Sequence, residues 1–269
     1  MPTSQAQRHL SLPWQAAFSV LMFGFMYLPI LVLTVFSFNK SQSAAKWEGF
    51  SLTWYEKFFQ DSRILTSLQN SLFVGIAAVG IAAVFGTLMA VGLARYRFPG
   101  RSLYRGITYL PIIIPDIAIA VATLVFLAVI AVPLSLWTIV AAHVVFCLSY
   151  VSVTVSTRIN SINPHLEEAA LDLGATPIQA FIQVMLPELA PAIISGCLLA
   201  FILSMDDLLI ASFTAGGGVA TLPMEIFGRI RTGVKPDINA LSVVLILASG
   251  LVFFAAEYIR YRGDKQRLG

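Results

Sequence analysis

The chain has 269 residues, 58% of them hydrophobic and only 12% charged, with a mean hydropathy of +0.82 and a formal net charge of +3. Soluble domains carry roughly twice that charged fraction, so an ordinary aqueous domain is excluded and an all-α polytopic membrane protein is what remains. Cys147 and Cys197 both fall inside apolar runs, where packing is their role and redox compartment is not legible.

Arg8 and His9 precede the first apolar segment, residues 16–38, which is longer than the 7–15-residue core of a cleaved signal and reads as a retained span. Tyr27 lies in it, two residues before Pro29. The loop that follows carries Trp47, Glu48, Trp54 and Tyr55, either as contacts and gates or as interfacial anchors. Further segments lie at 70–94, 107–130, 134–156, 191–214 and 239–259, so six are long enough to cross about 30 Å of hydrocarbon. Pro111 and Pro115 interrupt the third. On the fourth, His143, Cys147 and Tyr150 share a face at i, i+4, i+7, a spacing that suits helix packing and fits no metal site. Gly216-Gly217-Gly218 after the fifth lacks the lysine of a phosphate loop and reads as a flexible turn. Glu257 is placed to pair with Arg260 on the last segment.

Short dense basic clusters set orientation. Arg95, Arg97, Arg101 and Arg105 follow the second span, and Arg260, Arg262, Lys265 and Arg267 end the chain. Both clusters belong inside, which puts the N and C termini in the cytoplasm.

The loop at 157–190, between the fourth and fifth spans, is then cytoplasmic yet holds one basic residue, Arg158. Asn163 can cap a helix opened by Pro164, with Glu167 and Glu168 near its positive end. Gly174 supplies a left-handed stop, Thr176-Pro177-x-Gln179 restarts a helix with a capping box, and Leu186-Pro187 ends it. The expectation is a helix–turn–helix on the membrane surface, either an ordinary structured loop or a docking element.

That loop reads E-A-A-L-D-L-G-A-T-P-I-Q-A-F-I-Q-V-M-L-P from Glu168 to Pro187. It resembles the signature of permease subunits in bacterial ATP-binding-cassette importers: E-A-A, glycine four residues later, then I-x-L-P after nine more. Glu168, Ala169, Ala170, Gly174, Leu186 and Pro187 match, and Val184 replaces the isoleucine. The resemblance implies a coupling loop that sits in a groove of a separate ATPase subunit, with Glu167, Glu168, Ala169, Ala170, Asp172 and Gly174 at the contact. The chain would then be one permease domain over residues 1–269, without catalysis or cofactor of its own, ATP and Mg being held by the partner.

Most of the chain also resembles the polyamine branch of these importers, for spermidine and putrescine. The stretches are W-x-G-F-S-x-x-W-Y at Trp47–Tyr55, Y-R-F-x-G at Tyr96–Gly100, P-D-I at Pro115–Ile117, A-H-V-x-F-C at Ala142–Cys147, L-S-M-D-D at Leu203–Asp207 and V-K-P-D-I-N-A-L at Val234–Leu241. The implied assembly is a second related permease chain, two ATPase subunits inside, and an extracytoplasmic polyamine-binding protein outside. It stands in the bacterial inner membrane and involves no nucleic acid.

Polyamines are slender cations, so their path needs carboxylates and aromatic faces. Asp116, Asp206, Asp207, Tyr27 and Trp47 are the candidates. Asp116 is about ten residues into the third span, roughly 15 Å along it. Neighbouring helical side chains diverge by about 100°, so Asp206 and Asp207 cannot both face one narrow pore from a regular helix. Either one faces the path and the other an interface or a basic residue such as Arg229 or Arg231, or the helix breaks and the pair caps a new turn. Rival classes are an importer for another small ion, an ion-coupled secondary carrier with proton-shuttling aspartates, and an intramembrane aspartyl protease, whose G-x-G-D context is missing. A bulky residue replacing Gly174 is expected to uncouple ATP hydrolysis from uptake, measured as transport per ATP consumed by the assembled complex.

Overall fold

The computed structural model describes residues 13–41, 46–163, 165–233 and 236–267, with side chains from 14 to 251 within those ranges. The helices in chain order are α1 Pro13–Ser37, α2 Thr53–Gln60, α3 Ser62–Arg95, α4 Arg101–Ile113, α5 Asp116–Val129 and α6 Leu136–Ile159. They continue with α7 His165–Asp172, α8 Pro177–Ala180, a π-helical turn at Phe181–Met185, α9 Leu186–Asp206, α10 Leu209–Thr214, α11 Leu222–Thr232 and α12 Pro236–Arg267. Among the described residues the only extended pairing is one bridge, Asn39 to Phe50. Trp14–Ser37, Ser62–Arg95, Leu136–Ile159 and Pro177–Asp206 are long and apolar enough to cross a membrane, and α4 with α5 makes a fifth crossing if that bent pair is one span. The apolar stretch of α12 over described side chains, Pro236–Leu251, is shorter. The proposed Glu257–Arg260 pair and the basic side chains at 8 and 260–267 lie outside what is described.

The chain divides into two compact units: Ser62–Gly228, and the described residues up to Asp61 together with those from Arg229 on. The first is a bundle in which α6 packs on both α3 and α9, and α3 packs on α9. Between spans in hydrocarbon there is no hydrophobic drive, so close approach of small residues does the work. Ala78, Ala82 and Ala90 on α3 and Ala200 on α9 are fully buried. Gly86 and Gly196 flank Val151 of α6 from two sides, where an added Cβ would meet it at 3.1 Å. Outward faces are apolar, as a hydrocarbon-facing surface requires: Phe85 on α3, Phe126 on α5 and Ile202 on α9 are all exposed.

Two spans are broken: the third, where the prolines interrupt it, and the fifth, at the Asp206–Asp207 pair. The 107–130 segment turns by 111° between α4 and α5. Pro115 forces Ile114 into extended backbone (φ −73°, ψ 134°), because its ring excludes helix in the residue before it. The 191–214 segment ends as a helix at Asp206 and resumes at Leu209. Nor does Leu186-Pro187 end the loop's second helix. Helix runs on from Pro177 to Asp206 through the π turn. Pro187 has no N–H to give back, and the widened turn just before it takes up the register change.

The second unit holds α1, α2 and α12, with α12 packed on the other two. Helix α1 continues through Pro29 and buries none of its apolar stretch. The segment after it is organised by buried Asn39, whose amide donates to the Lys46 carbonyl (2.6 Å) and accepts from the N–H groups of Glu48 (2.9 Å) and Ser41 (3.2 Å). Trp54 Nε1 donates to the Asn39 carbonyl at 2.8 Å. At the other end Arg229 bridges Asp61 (2.7 Å) and Asp237 (2.9 Å).

The triple glycine is not merely a loose turn. A Cβ on Gly216 would overlap the backbone carbonyl of Leu134, while only Gly218 has positive φ (81°). Gly216→Ala is therefore expected to destabilise the permease by about 1–3 kcal/mol, the cost of overpacking a closed contact. Gly217→Ala, with open space around it, should be near neutral. Thermal inactivation of the purified protein in detergent or nanodiscs checks the contrast.

Candidate functional site

The two adjacent aspartates sit on opposite sides of a helix end. Asp206 is the last residue of α9, and Asp207 is extended (φ −69°, ψ 121°). Turning the chain there swings the Asp207 carboxylate over the start of α10. It accepts the Ile210 N–H at 3.2 Å and the Ala211 N–H at 2.7 Å, groups that a helix start otherwise leaves unpaired. The same carboxylate lies 3.2 Å from Nε2 of His143, and Nδ1 of that imidazole lies 2.8 Å from the Ser204 hydroxyl. His143 is only 1% exposed. With the proton on Nε2, it donates to Asp207 and accepts from Ser204, and every polar side-chain atom of the cluster has a partner.

Asp206 has a different environment. It is exposed and makes no hydrogen bond or ion pair among the described residues. Of the alternatives open in the sequence, the helix break with capping is what the structure contains. The partner of the capping aspartate is His143. The i, i+4, i+7 face of α6 hides that role, since its spacing says only that His143 packs. Cys147, one turn on, approaches the Ala200 carbonyl at 3.8 Å and stays with packing.

Asp116 occupies the matching place in the other broken pair. It is the first residue of α5, exposed, and without a hydrogen bond or ion pair among the described residues. Helix α5 packs on α10, so the segments that follow the two breaks lie against each other. Thr138 secures the same region, donating to the Thr214 carbonyl at the end of α10 (2.7 Å) while it accepts the Ser135 N–H that opens α6 (2.7 Å).

The aromatic candidates belong to the other unit. Tyr27 is exposed on α1 and stacks on Phe23 at 6.5 Å. Trp47 is half-exposed, edge-on to Phe36 at 6.1 Å. Trp54 is buried under Lys57, whose Nζ sits 4.4 Å above its ring, and Tyr55 bonds Ser37 at 2.7 Å. These two hold the loop together and leave Trp47 as its available ring. Asn39, the centre of that loop, gives no sequence signal beyond a polar residue at a helix end.

The loop at 157–190 folds as its caps dictate. Asn163 Oδ1 accepts the His165 N–H at 3.0 Å. Gly174 has φ 89°, its N–H bonds the Leu171 carbonyl at 2.9 Å, and the Ala175 N–H bonds Ala170 at 3.0 Å, the paired closure of a Schellman stop. Thr176 and Gln179 form the expected capping box, at 2.8 and 3.3 Å. Of the acidic residues, only Asp172 is exposed without a partner among those described. Glu167 pairs with Arg95 at the end of α3 (2.7 Å), and Glu168 with His165 (2.8 Å). Ala169 is exposed and Ala170 half-buried. Beside the glycine turn, Leu173 is 90% exposed and Ile178 71%, an apolar tip for which the acidic residues of the loop give no signal.

The described residues hold no cluster of three or more His, Cys, Asp or Glu side chains able to bind a metal. Residues 82–265 match the family described as binding-protein-dependent transport system inner membrane component. Over 263 residues the chain is 41% identical to the putrescine transport system permease protein PotI of Escherichia coli K12, covering 95% of this chain and 94% of that one. It is 37% identical to the spermidine/putrescine transport system permease protein PotC of Haemophilus influenzae, covering 87% and 91%. Among solved structures, a bacterial ABC transporter involved in the import of the acidic polysaccharide alginate superposes with TM-score 0.72 at 16% identity over 96% of this chain and 99% of that one. The MetNI methionine ABC transporter gives 0.58 at 21% identity over 73% and 92%.

Because His143, Ser204 and Asp207 share one buried network, their substitutions should not add. Asp207→Ala is expected to cost about 1–2 kcal/mol for the lost cap alone. His143→Ala in that background should cost about 0.5–3 kcal/mol less than it does in the wild type. A double-mutant cycle on thermal stability of the purified permease measures the difference.

Proposed function

The chain belongs to the family of binding-protein-dependent transport system inner membrane components, and from that premise we propose that it is the permease subunit of an ATP-driven importer whose cargo is a polyamine such as putrescine or spermidine. It is a multi-pass inner-membrane protein and a transport component rather than an enzyme. In our reading the whole chain works as one permease domain of six spans, with both termini and the 157–190 loop in the cytoplasm. A second, related permease chain completes the pathway. Two ATPase subunits receive the coupling loops, and an extracytoplasmic binding protein delivers the cargo.

The observation that carries the cargo assignment is the pair of carboxylates Asp116 and Asp206, each exposed at a break in an apolar helix and unpartnered among the described residues. A carboxylate in hydrocarbon costs about 2.5–3.5 kcal/mol on insertion scales and is retained where it faces a cavity or a cation. Two carboxylates with no partner among the described residues favour a cargo with positive charge at more than one point. Asp207 is excluded from direct contact in this reading, since its oxygens are already taken. Tyr27 and Trp47 offer ring faces to ammonium and methylene groups. The loop supports coupling: its Gly174 turn presents Leu173, Ile178, Ala169 and Asp172 outward, a small apolar knob with an acidic flank suited to a groove.

Transport then follows alternating access. The loaded binding protein docks, ATP closes the ATPases, and the loops rock the spans, while the unpartnered aspartates replace part of the hydration of the passing amines.

Uptake of labelled putrescine by the complete complex in proteoliposomes, competed by spermidine, tests this reading. Asp206→Asn and Asp116→Asn should each raise the KM for uptake by about ten- to a hundredfold, one charge-assisted contact of ~1.5–3 kcal/mol, with the complex still assembled. If neither polyamine moves, the cargo assignment fails. Uptake that continues without the ATPase subunits favours the secondary carrier.

A further inference from the structure

Helix α7 carries the E-A-A segment but has no buried residue, so packing alone holds it weakly to the bundle. It touches the π turn and α8. Its one ion pair to a spanning helix, among the described residues, runs from Glu167 to Arg95 at 2.7 Å. Arg95 is the last residue of α3, the helix that packs on both α6 and α9. The same Nη2 that meets Glu167 lies 3.3 Å from Sδ of Met185, which is buried at the end of the π turn. One guanidinium therefore touches three parts: the end of α3, the first turn of α7, and the irregular turn that leads into α9.

The electrostatics favour this placement of the two charges. Arg95 stands at the negative end of α3 and Glu167 at the positive end of α7, so each is stabilised by its own helix as well as by the other. Arg101 leaves Arg95 free for the role by covering the carbonyls at that helix end itself, donating to Leu93 at 2.7 Å and Ala94 at 3.5 Å. Both members of the pair are little more than a quarter exposed (27% and 28%). A single pair of this exposure adds little to stability. Nε of Arg95 is buried with no hydrogen-bond partner among the described residues, so the side chain is held there at a cost that packing or stability does not explain.

We propose that Arg95 is the joint through which movement of the E-A-A helix is passed to α3 and, through the π turn, to α9. It is a positioning residue: it touches neither ATP nor cargo. It transmits because α7 is otherwise loosely attached, so a push on α7 that loses this contact is absorbed by the loop and does not reach the spans. This rests on the reading of the 157–190 loop as the ATPase-coupling element.

The test compares Arg95→Glu, Glu167→Arg and the double charge swap with wild type in the reconstituted complex, each normalised to the amount of complex assembled. Two rates are read: labelled putrescine uptake and ATP hydrolysis stimulated by the loaded binding protein. Each single reversal is expected to lower uptake per ATP about fivefold or more, in the range of ordinary coupling effects. The double swap should recover part of it, since it restores the attraction between the two side chains but sets each charge against its own helix end and loses the Met185 contact. Arg95→Lys, which keeps the charge, should lie near wild type. A merely structural pair would lower both rates together and leave their ratio unchanged, and that result overturns the proposal, as does a swap no better coupled than its parents. A wild-type complex whose ATP hydrolysis ignores the loaded binding protein overturns the coupling reading itself and this inference with it.

Discussion

Every backbone N–H and C=O at membrane depth must find a partner inside the protein, and the helix breaks are organised around that constraint. Lipid offers no partner to a frayed helix end. The chain nevertheless ends α9 at Asp206 and bends by 111° before Asp116. At the first break the Asp207 carboxylate takes up two N–H groups of α10, and His143 and Ser204 hold the carboxylate in place. At the second, the Ile114 N–H still reaches the Leu110 carbonyl at 2.9 Å, the Ala118 and Ile119 N–H groups reach the Pro115 carbonyl, and no side chain among the described residues caps the start of α5. Thr138 ties the end of α10 to the start of α6, so the repaired break is anchored on the most buried helix of the bundle.

That repair separates two neighbouring carboxylates that would otherwise repel. Once the backbone turns at Asp207, its charge is spread over amide dipoles and an imidazole, and Asp206 is left outside the network. A regular helix would have set them about 100° apart on one surface, with neither satisfied. The break therefore produces one structural aspartate and one available one from an adjacent pair. Asp116 arrives at the same condition by a different device, a proline rather than a carboxylate cap.

The loop at 157–190 obeys the opposite rule. Outside the bundle, its backbone is closed by local chemistry alone: the Asn163 cap, the Gly174 stop and the Thr176–Gln179 box. None of these needs the spans, which is why α7 can bury nothing and still be a helix. What links it to the rest is polar and sparse, chiefly the contact of Glu167 with Arg95. The α3–α6–α9 contact, by contrast, is built from alanine and glycine at close approach.

Hydropathy, proline positions and caps determined by themselves that this is a helical membrane protein with a folded loop after its fourth apolar segment. They did so because each of those signals acts within a few residues of its cause. Gly174 needs only its own φ, and Pro115 acts on Ile114 next to it. The M-D-D stretch declared that charge was present but not how it was used, and the two acidic residues ahead of Ala169 looked alike. Tertiary structure alone decided that Asp207 belongs to His143, sixty-four residues away, that Glu167 belongs to Arg95, and that Gly216 must be small because Leu134 lies against it. Those choices depend on which helix faces meet, and facing is set by packing between segments far apart in the chain, about which local periodicity carries no information.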